Sequence, residues 1–505
     1  MSRLPASLQV LGVISLLVCL GLLYTYLNTL PQTGRKLRVR PKYTYASEQQ
    51  PEHAEVGGAL LTTPKSSLHP ASSPRSSPSQ TGASPRMAKY CDPPFTGQEG
   101  EAPPGYQLEA VTTVIRHGDR SPVYSLYNYP TPKLSCLSEK QLFQENSKFQ
   151  SFLPTMWSYR GREHGTSKFK QWMLYPSSSV CDSGQMTGYG SLQHLKIGKH
   201  LANTYLHKWQ LFGEEFSADQ VYVSSTEFSR TYQSAVAFLF GFLPTFNLTE
   251  LYIEQTRSMV FCSDQYSGLT CHCPVLQDLK VSADRNSGLL LRNDSRYTAM
   301  RSQLANTLDV KVGKLRHLFA LVDALSAYSC HKLALPCGPT KCITPDMIED
   351  IWGFLDKSEK EKYKTDLFQQ FIHLSLHSLL LRISDHFNNL LRGRTKVRFS
   401  LFSGHDHTVN FLSGVLGINK GVWPSFASRV IIELYSKNAG NRRKHFFLRF
   451  LFNGKDLTSK TSFCENDLVN GMCKLEALER FIKTHLLQNG IHDISLLCNQ
   501  GNRSL

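Results

Sequence analysis

Two short runs of residues carry the chemistry of this chain. In Arg116-His117-Gly118-Asp119-Arg120-Ser121-Pro122 a histidine stands beside one arginine and three residues before another. An unprotonated imidazole nitrogen can attack phosphorus, and flanking guanidiniums can bind the non-bridging oxygens of a phosphoryl group. Glycine admits a close backbone approach, and proline stiffens the exit. His117 is therefore expected to be a nucleophile, with Arg116 and Arg120 binding phosphate. The second run is Ser403-Gly404-His405-Asp406-His407-Thr408. His405 is suited to a phosphoryl oxygen. A phosphate beside Asp406 would raise its carboxyl pKa and favour the protonated form that a departing alkoxide requires. Taken alone, His405-Asp406 would serve equally as an N-terminal helix cap; its pairing with the first run gives Asp406 the acid's role.

Each run must be delivered by an element, and each follows an apolar stretch that ends abruptly. Leu108 to Ile115 precedes the first run, Val397 to Phe402 precedes the second, and Gln220 to Val223 precedes Ser224-Ser225-Thr226. Strands present side chains to a site at their carboxyl ends in this way. Helical periodicity in Gln193, Leu195, Ile197, Leu201 and Tyr205 leads into the Gln220 strand, which gives βα-type architecture. Val430 to Tyr435 and Phe446 to Phe452 flank a polar loop and read as an antiparallel pair. The expected fold class is α/β, a mixed central sheet with helices on both faces. Residues about 249–389 are mostly helical in pattern, with interrupting cysteines, and are expected to form an inserted, mainly helical cap.

The two runs together resemble the histidine acid phosphatase family, in the branch whose second motif contains His-Asp, over roughly Tyr106 to the C-terminus. Gln185-Met186-Thr187-Gly188-Tyr189-Gly190, with Gln193, His194 and Gly198, is similar to the family's Leu-Thr-x-x-Gly helix segment, with Met186 in place of leucine. Ser225-Thr226-Glu227-Phe228-Ser229-Arg230-Thr231 resembles the segment that supplies a third phosphate-binding arginine, here Arg230. The resemblance implies a phosphomonoesterase of the histidine phosphatase fold, needing no cofactor and no metal. Arg116, Arg120, Arg230 and His405 would hold the phosphoryl group, His117 would become phosphorylated, and Asp406 would protonate the leaving oxygen. Ser217-Ala218-Asp219-Gln220, Gly241-Phe242-Leu243-Pro244 and the cluster from Cys262 to Pro274 narrow the resemblance towards a Golgi branch acting on xylose 2-phosphate. What this implies is a substrate on proteoglycan core proteins, the phosphorylated glycosaminoglycan linkage region, whose dephosphorylation permits chain elongation, and association with the linkage-region glycosyltransferases. A broad acid phosphatase, an inositol polyphosphate phosphatase, a phosphoryl transferase and a catalytically silent phosphoglycan-binding protein are the alternatives. The silent protein would have no physical need for both a nucleophile and an acid.

Length and composition set the frame. The chain has 505 residues, 41% of them apolar, and a formal net charge of +16. That charge attracts anions but does not choose among them. Lysine and arginine are scattered along the whole length, without a nucleic-acid module, so no nucleic-acid partner is expected. After a short tail (1–7), residues 8–27 supply the roughly 20 apolar positions of a membrane span and are expected to be an uncleaved signal-anchor. A flexible Ser/Pro-rich stem (28–88) and a catalytic domain (89–505) come after it. Arg35, Lys36, Arg38, Arg40 and Lys42 after the span would place the body in the cytosol by the positive-inside rule. Two other features oppose this: twelve of the thirteen cysteines lie beyond the span, an even number, and Asn247, Asn293 and Asn502 head N-glycosylation tripeptides. A single-pass type II Golgi protein with a lumenal body is the expectation. In that compartment Cys271, Cys273, Cys337 and Cys342 are expected to pair rather than bind zinc. His373 and His377 have the spacing of a helical zinc pair, but Leu374 stands where a zinc protease would carry glutamate, so both are read as helix-face residues.

Overall fold

The computed structural model describes residues 85–136, 144, 147–159, 172–418, 421–438 and 444–499. The expected anchor, the stem as far as residue 84 and Asn502 lie outside them. Among the described residues no helix is long and apolar enough to cross a membrane. All of them belong to one compact unit, Pro78–Leu505.

Strand β1 (Tyr106–Arg116) is the spine of the sheet, and its β-branched run Val111-Thr112-Thr113-Val114-Ile115 is buried throughout, as suits a strand covered on both faces. The others are β2 (Val221–Thr226), β3 (Ile253–Thr256), β4 (Phe399–Gly404), β5 (Arg429–Asn438), β6 (Lys444–Phe452), β7 (Lys455–Asp456), β8 (Leu468–Val469) and β9 (Met472–Lys474). Their order is β3-β2-β4-β1-β5-β6-β9-β8, with β7 paired to β6. β3, β2, β4 and β1 run parallel, whereas β5 and β6 are antiparallel to their neighbours. The expected mixed sheet is thus present. Register aligns the strand ends: Arg116 pairs with Gly404, and Ser225 with Ser403, so β1, β2 and β4 finish together at one edge.

Helix α1 (Pro85–Cys91) enters the unit, and α2 (Gly188–Leu201) and α3 (Ser229–Phe242) cover one face of the sheet. They pack backbone to backbone: a Cβ on Gly198 would lie 2.3 Å from the Phe238 carbonyl oxygen. Helices α4 (Ser295–Thr307), α5 (Leu318–Cys330) and α6 (Pro345–Tyr363) share a separate core that includes Leu304, Leu321, Ile351 and Trp352. Helices α7 (Asp366–Leu391), α8 (Asp406–Val415) and α9 (Leu475–Gln488) cover the opposite face. β1 divides the two main cores by its pleat, with Val111 and Ile115 facing one and Ala110 and Val114 the other.

Within the stretch 249–389, expected as cap, only α4 to α6 form the separate helical layer. β3 extends the sheet, and α7 turns Phe371, Ile372, Leu379 and Ile383 towards the main core. Helical periodicity shows that a segment has an apolar face but not what that face covers. The twelve cysteines after Cys19 form six disulfides, 91–330, 136–181, 262–271, 273–498, 337–342 and 464–473. Cys271 and Cys273 therefore go to different partners, not to a common ion.

His373 and His377 are more than helix-face residues. His373 Nδ1 lies 2.8 Å from Nδ1 of His485 and His377 Nδ1 lies 2.9 Å from its Nε2, in a chain of three imidazoles linking α7 to α9. The outer rings meet opposite nitrogens of His485, so the three do not converge on one point. Burial, with the neighbouring rings, pushes His485 down to about 2. The unfolded value is about 6.5, so its contribution to stability is complete above that pH and is lost as pH falls towards the folded value. His485→Gln is expected to flatten the fall in unfolding free energy between pH 7 and pH 5 by up to about 1.4 kcal/mol per pH unit. Urea denaturation at the two pH values measures this, and an unaltered fall would place the acid sensitivity elsewhere.

Candidate active site

The sheet edge fixes the nucleophile's backbone. Beyond the last residue of β1, the His117 amide donates to the Gly404 carbonyl at 2.9 Å, and the His117 carbonyl accepts from Ala427 at 3.0 Å. The ring is 1% exposed and its Nδ1 lies 2.9 Å from the Gly118 carbonyl oxygen. A carbonyl can only accept, so Nδ1 carries the proton and Nε2 presents a lone pair. Burial, then the charges of Arg230, Arg116, Arg120 and His405, hold the ring well below the usual histidine range, so it is neutral.

The loop after His117 is pressed against α2. A Cβ on Gly118 would stand 2.4 Å from the Gly190 carbonyl oxygen, and the Gly118 amide donates to Ser234 Oγ at 3.1 Å. The Asp119 amide donates to Gln193 Oε1 at 2.8 Å, and the Asp119 carboxylate accepts from Thr187 Oγ1 at 2.5 Å and faces His331 Nε2 at 3.0 Å. The Gln185-Met186-Thr187 segment thus acts as a clamp, with Ser121 N bound to Gln185 O and Thr187 N to Asp119 O.

Three arginines meet here, each held differently. Arg116 donates from Nη1 to the Pro424 carbonyl at 2.6 Å and from Nη2 to Tyr90 Oη at 3.2 Å. Its Nη2 also stands 3.3 Å from Asp406 Oδ2, and its guanidinium carbon lies 4.5 Å from the centre of the Phe426 ring. Arg120 pairs with Asp323 of α5 at 2.9 Å. The same carboxylate accepts the amides of Val123 and Tyr124 at 2.7 and 3.0 Å, so the helical layer sets the path of the motif loop. Arg230, in the first turn of α3, lies 4.5 Å from the centre of the Phe228 ring.

His405 and Asp406 occupy the start of α8. The His405 amide donates to Thr408 Oγ1 at 2.9 Å, and its Nε2 lies 2.9 Å from Thr226 Oγ1, which ties β4 to β2. The capping role and the site role therefore coexist in these two residues. The rings of His117 and His405 are 5.7 Å apart. Asp406 is 7% exposed, and its Oδ1 accepts from both the amide and the ring Nδ1 of His407 at 2.8 Å. Burial alone would raise its carboxyl, but Arg116 and His407 outweigh burial and hold it well below the usual carboxylate range. Asp406 is therefore held as a carboxylate.

All six residues expected at the site are brought together. Asn247 and Asn293 make none of the contacts described above: Asn293 is exposed after Arg292, and Asn247 is engaged by Glu250 and Thr249. Tyr90, Asp323 and His331 carry no local signal in the sequence, because their contacts cross from 26 to 212 positions; Thr226 stands at the end of a strand that the sequence directs to the site, but its contact to His405 does not show there. His407 was visible beside Asp406, though nothing in its type alone assigns it a contact.

A family model described as "Histidine phosphatase superfamily (branch 2)" matches residues 107–265. The human protein named 2-phosphoxylose phosphatase 1 is 31% identical over 400 residues, spanning 78% of this chain and 82% of its own. The chain belongs to the histidine phosphatase superfamily, branch 2. Counting factor 60 of Dictyostelium discoideum is 26% identical over 72% of this chain and 85% of its own, and rat prostatic acid phosphatase is 23% identical over 66% and 77%. As a branch 2 histidine phosphatase the protein is a phosphoric monoester hydrolase.

In this phosphatase, Asp323→Asn removes the charge that aligns Arg120 and leaves the sheet edge intact. The expected result is a drop in kcat/KM for p-nitrophenyl phosphate of about 10- to 100-fold, a loss of roughly 1.4–2.7 kcal/mol of transition-state binding. Steady-state kinetics measure it; a wild-type value would show that Arg120 is placed without the helical layer.

Proposed function

We propose that this phosphatase removes the 2-phosphate from xylose in the glycosaminoglycan-protein linkage region of proteoglycan core proteins, permitting chain elongation. The observation that carries the chemistry is the buried, neutral His117 ring, its Nδ1 tied to the Gly118 carbonyl and Nε2 left to attack, under the charge of three arginines. In the first half-reaction the His117 Nε2–P bond forms and the P–O bond to the sugar breaks. Asp406 gives a proton to the departing oxygen. In the second, water attacks phosphorus, the N–P bond breaks, and Asp406 takes the water's proton. Arg116, Arg120, Arg230 and His405 stabilise the transferring phosphoryl group throughout, without metal or cofactor.

Two observations support a glycan ester. One is the name of the human relative, 2-phosphoxylose phosphatase 1. The other is a row of rings, Tyr124, Phe319, Trp423 and His407, with successive centroids 6.2, 5.0 and 5.4 Å apart and His317 5.2 Å from Tyr124. It runs from beside the arginine loop to the residue next to Asp406. Trp423 is packed in the core of the helical layer, while Tyr124 and Phe319 are half-buried and offer ring faces that suit a sugar better than a densely charged inositol polyphosphate. A Golgi lumenal setting, with an anchor at 8–27 and contact with linkage-region glycosyltransferases, belongs to the same reading, and six disulfides favour an oxidising compartment.

The test is phosphate release by the purified protein from a 2-phosphoxylose linkage glycopeptide, beside p-nitrophenyl phosphate and inositol hexakisphosphate. The glycopeptide is expected to give the highest kcat/KM, and His117→Ala is expected to abolish turnover on every substrate. Release from the other esters alone would sink the substrate and leave the chemistry. Near wild-type activity in His117→Ala would remove the nucleophile.

A further inference from the structure

The two oxygens of Asp406 face nearly nothing but donors. Oδ2 stands by Arg116 Nη2, which has no lone pair to offer, and Oδ1 faces the His407 amide, which also only donates. The exception is His407 Nδ1, 2.8 Å from Oδ1, which donates when it carries a hydrogen and accepts when it does not. Among the described residues, a proton on Asp406 therefore has one hydrogen-bond acceptor, this ring nitrogen. The ring itself is fixed edge-on against Phe411 and Trp423, at 5.2 and 5.4 Å between centroids, and its side chain is 25% exposed.

We propose that His407 is a positioning residue that shares a proton with Asp406, so that the acid-base group of this phosphatase is an Asp406–His407 pair and not the carboxyl alone. The inference rests on the assignment of Asp406 as acid. With the proton on Nδ1 the pair is a carboxylate facing an imidazolium; with the proton on Oδ1 it is a carboxylic acid facing a neutral ring. When phosphate occupies the site and shares Arg116, the Nδ1–H bond breaks and the Oδ1–H bond forms. Asp406 then passes that proton to the departing sugar oxygen as the P–O bond breaks. In hydrolysis the proton released by water returns to Asp406 and is again shared with Nδ1, so each turnover closes with no net proton taken from the pair. The charged and titratable groups around the pair are Arg116 on Oδ2, with His117 and His405 nearby; Phe411 and Trp423, which pack the ring, carry none.

The experiment compares wild type, His407→Asn, His407→Ala and Asp406→Ala on two esters. Glycerol 2-phosphate has an alkoxide leaving group that needs a proton; p-nitrophenyl phosphate has one that does not. Asparagine can donate a similar hydrogen bond but cannot store a proton. In His407→Asn the basic limb of kcat against pH for glycerol 2-phosphate is expected to move to lower pH, giving at least about tenfold lower kcat at pH 7. The loss on the nitrophenyl ester, which skips leaving-group protonation but shares the hydrolysis step, is expected to be smaller by at least about threefold, and added imidazole to restore His407→Ala in part. A wild-type pH profile for both esters in His407→Asn, with Asp406→Ala inactive on glycerol 2-phosphate, would reduce His407 to a hydrogen-bond support. Wild-type turnover of that ester by Asp406→Ala would instead overturn the acid assignment itself. Equal losses on both esters, unrescued by imidazole, would also refute proton sharing.

Discussion

The rest of the site depends on one electrostatic constraint: three guanidiniums must converge on a neutral imidazole in a buried pocket. Like charges about 5 Å apart repel by roughly 3 kcal/mol at an effective dielectric near 20, and burial adds the loss of hydration. The fold answers arginine by arginine. Arg116 has a carbonyl, a phenol, an aromatic face and the Asp406 carboxylate; Arg120 has Asp323; Arg230 has the face of Phe228. These partners come from α1, the residue before α3, α5, α8 and the loop before β5, so the pocket is complete only when the helical layer is seated on the sheet edge. The Cys91–Cys330 bridge joins the end of α1 to the end of α5, between Tyr90 and His331, which serve Arg116 and Asp119.

Legibility in the sequence tracks the range of each interaction. Residues 106–116 and 399–404 are apolar runs cut off by chemistry, and parallel strands that end together bring such runs side by side. His117, Arg116, His405 and Asp406 could therefore be placed from local pattern. Arg230 needed the family segment, since an arginine after a strand is ordinary by itself. Asp323 carried no local signal: it is one acidic residue in an apolar helix, and its worth comes from Arg120, 203 positions earlier. The helical stretch 249–389 shows the same limit. α7 and α6 have similar apolar periodicity, yet one turns that face towards the main core and the other to the separate layer, a choice made by tertiary packing.

Asp406 unites both halves of the problem. As a carboxylate it neutralises Arg116 in the empty pocket and keeps the arginine cluster tolerable. Chemistry asks the reverse of it, a proton on the same group. Both demands are met because the ligand is itself an anion. A phosphate shared with Arg116 takes over as the guanidinium's counter-charge, relieves the carboxylate of that duty, and raises the carboxyl's proton affinity by its own negative field. On the proposed mechanism the acid is thereby armed by the substrate's arrival, with His407 beside it to supply the proton. On the same mechanism His117 would move in the same direction, since a phosphate field that favours a proton on Asp406 would also favour the positive charge its ring takes on if Nε2 bonds to phosphorus. A pocket whose charges hold His117 and Asp406 unprotonated would thus, on the proposed mechanism, place a single proton where the leaving oxygen needs it.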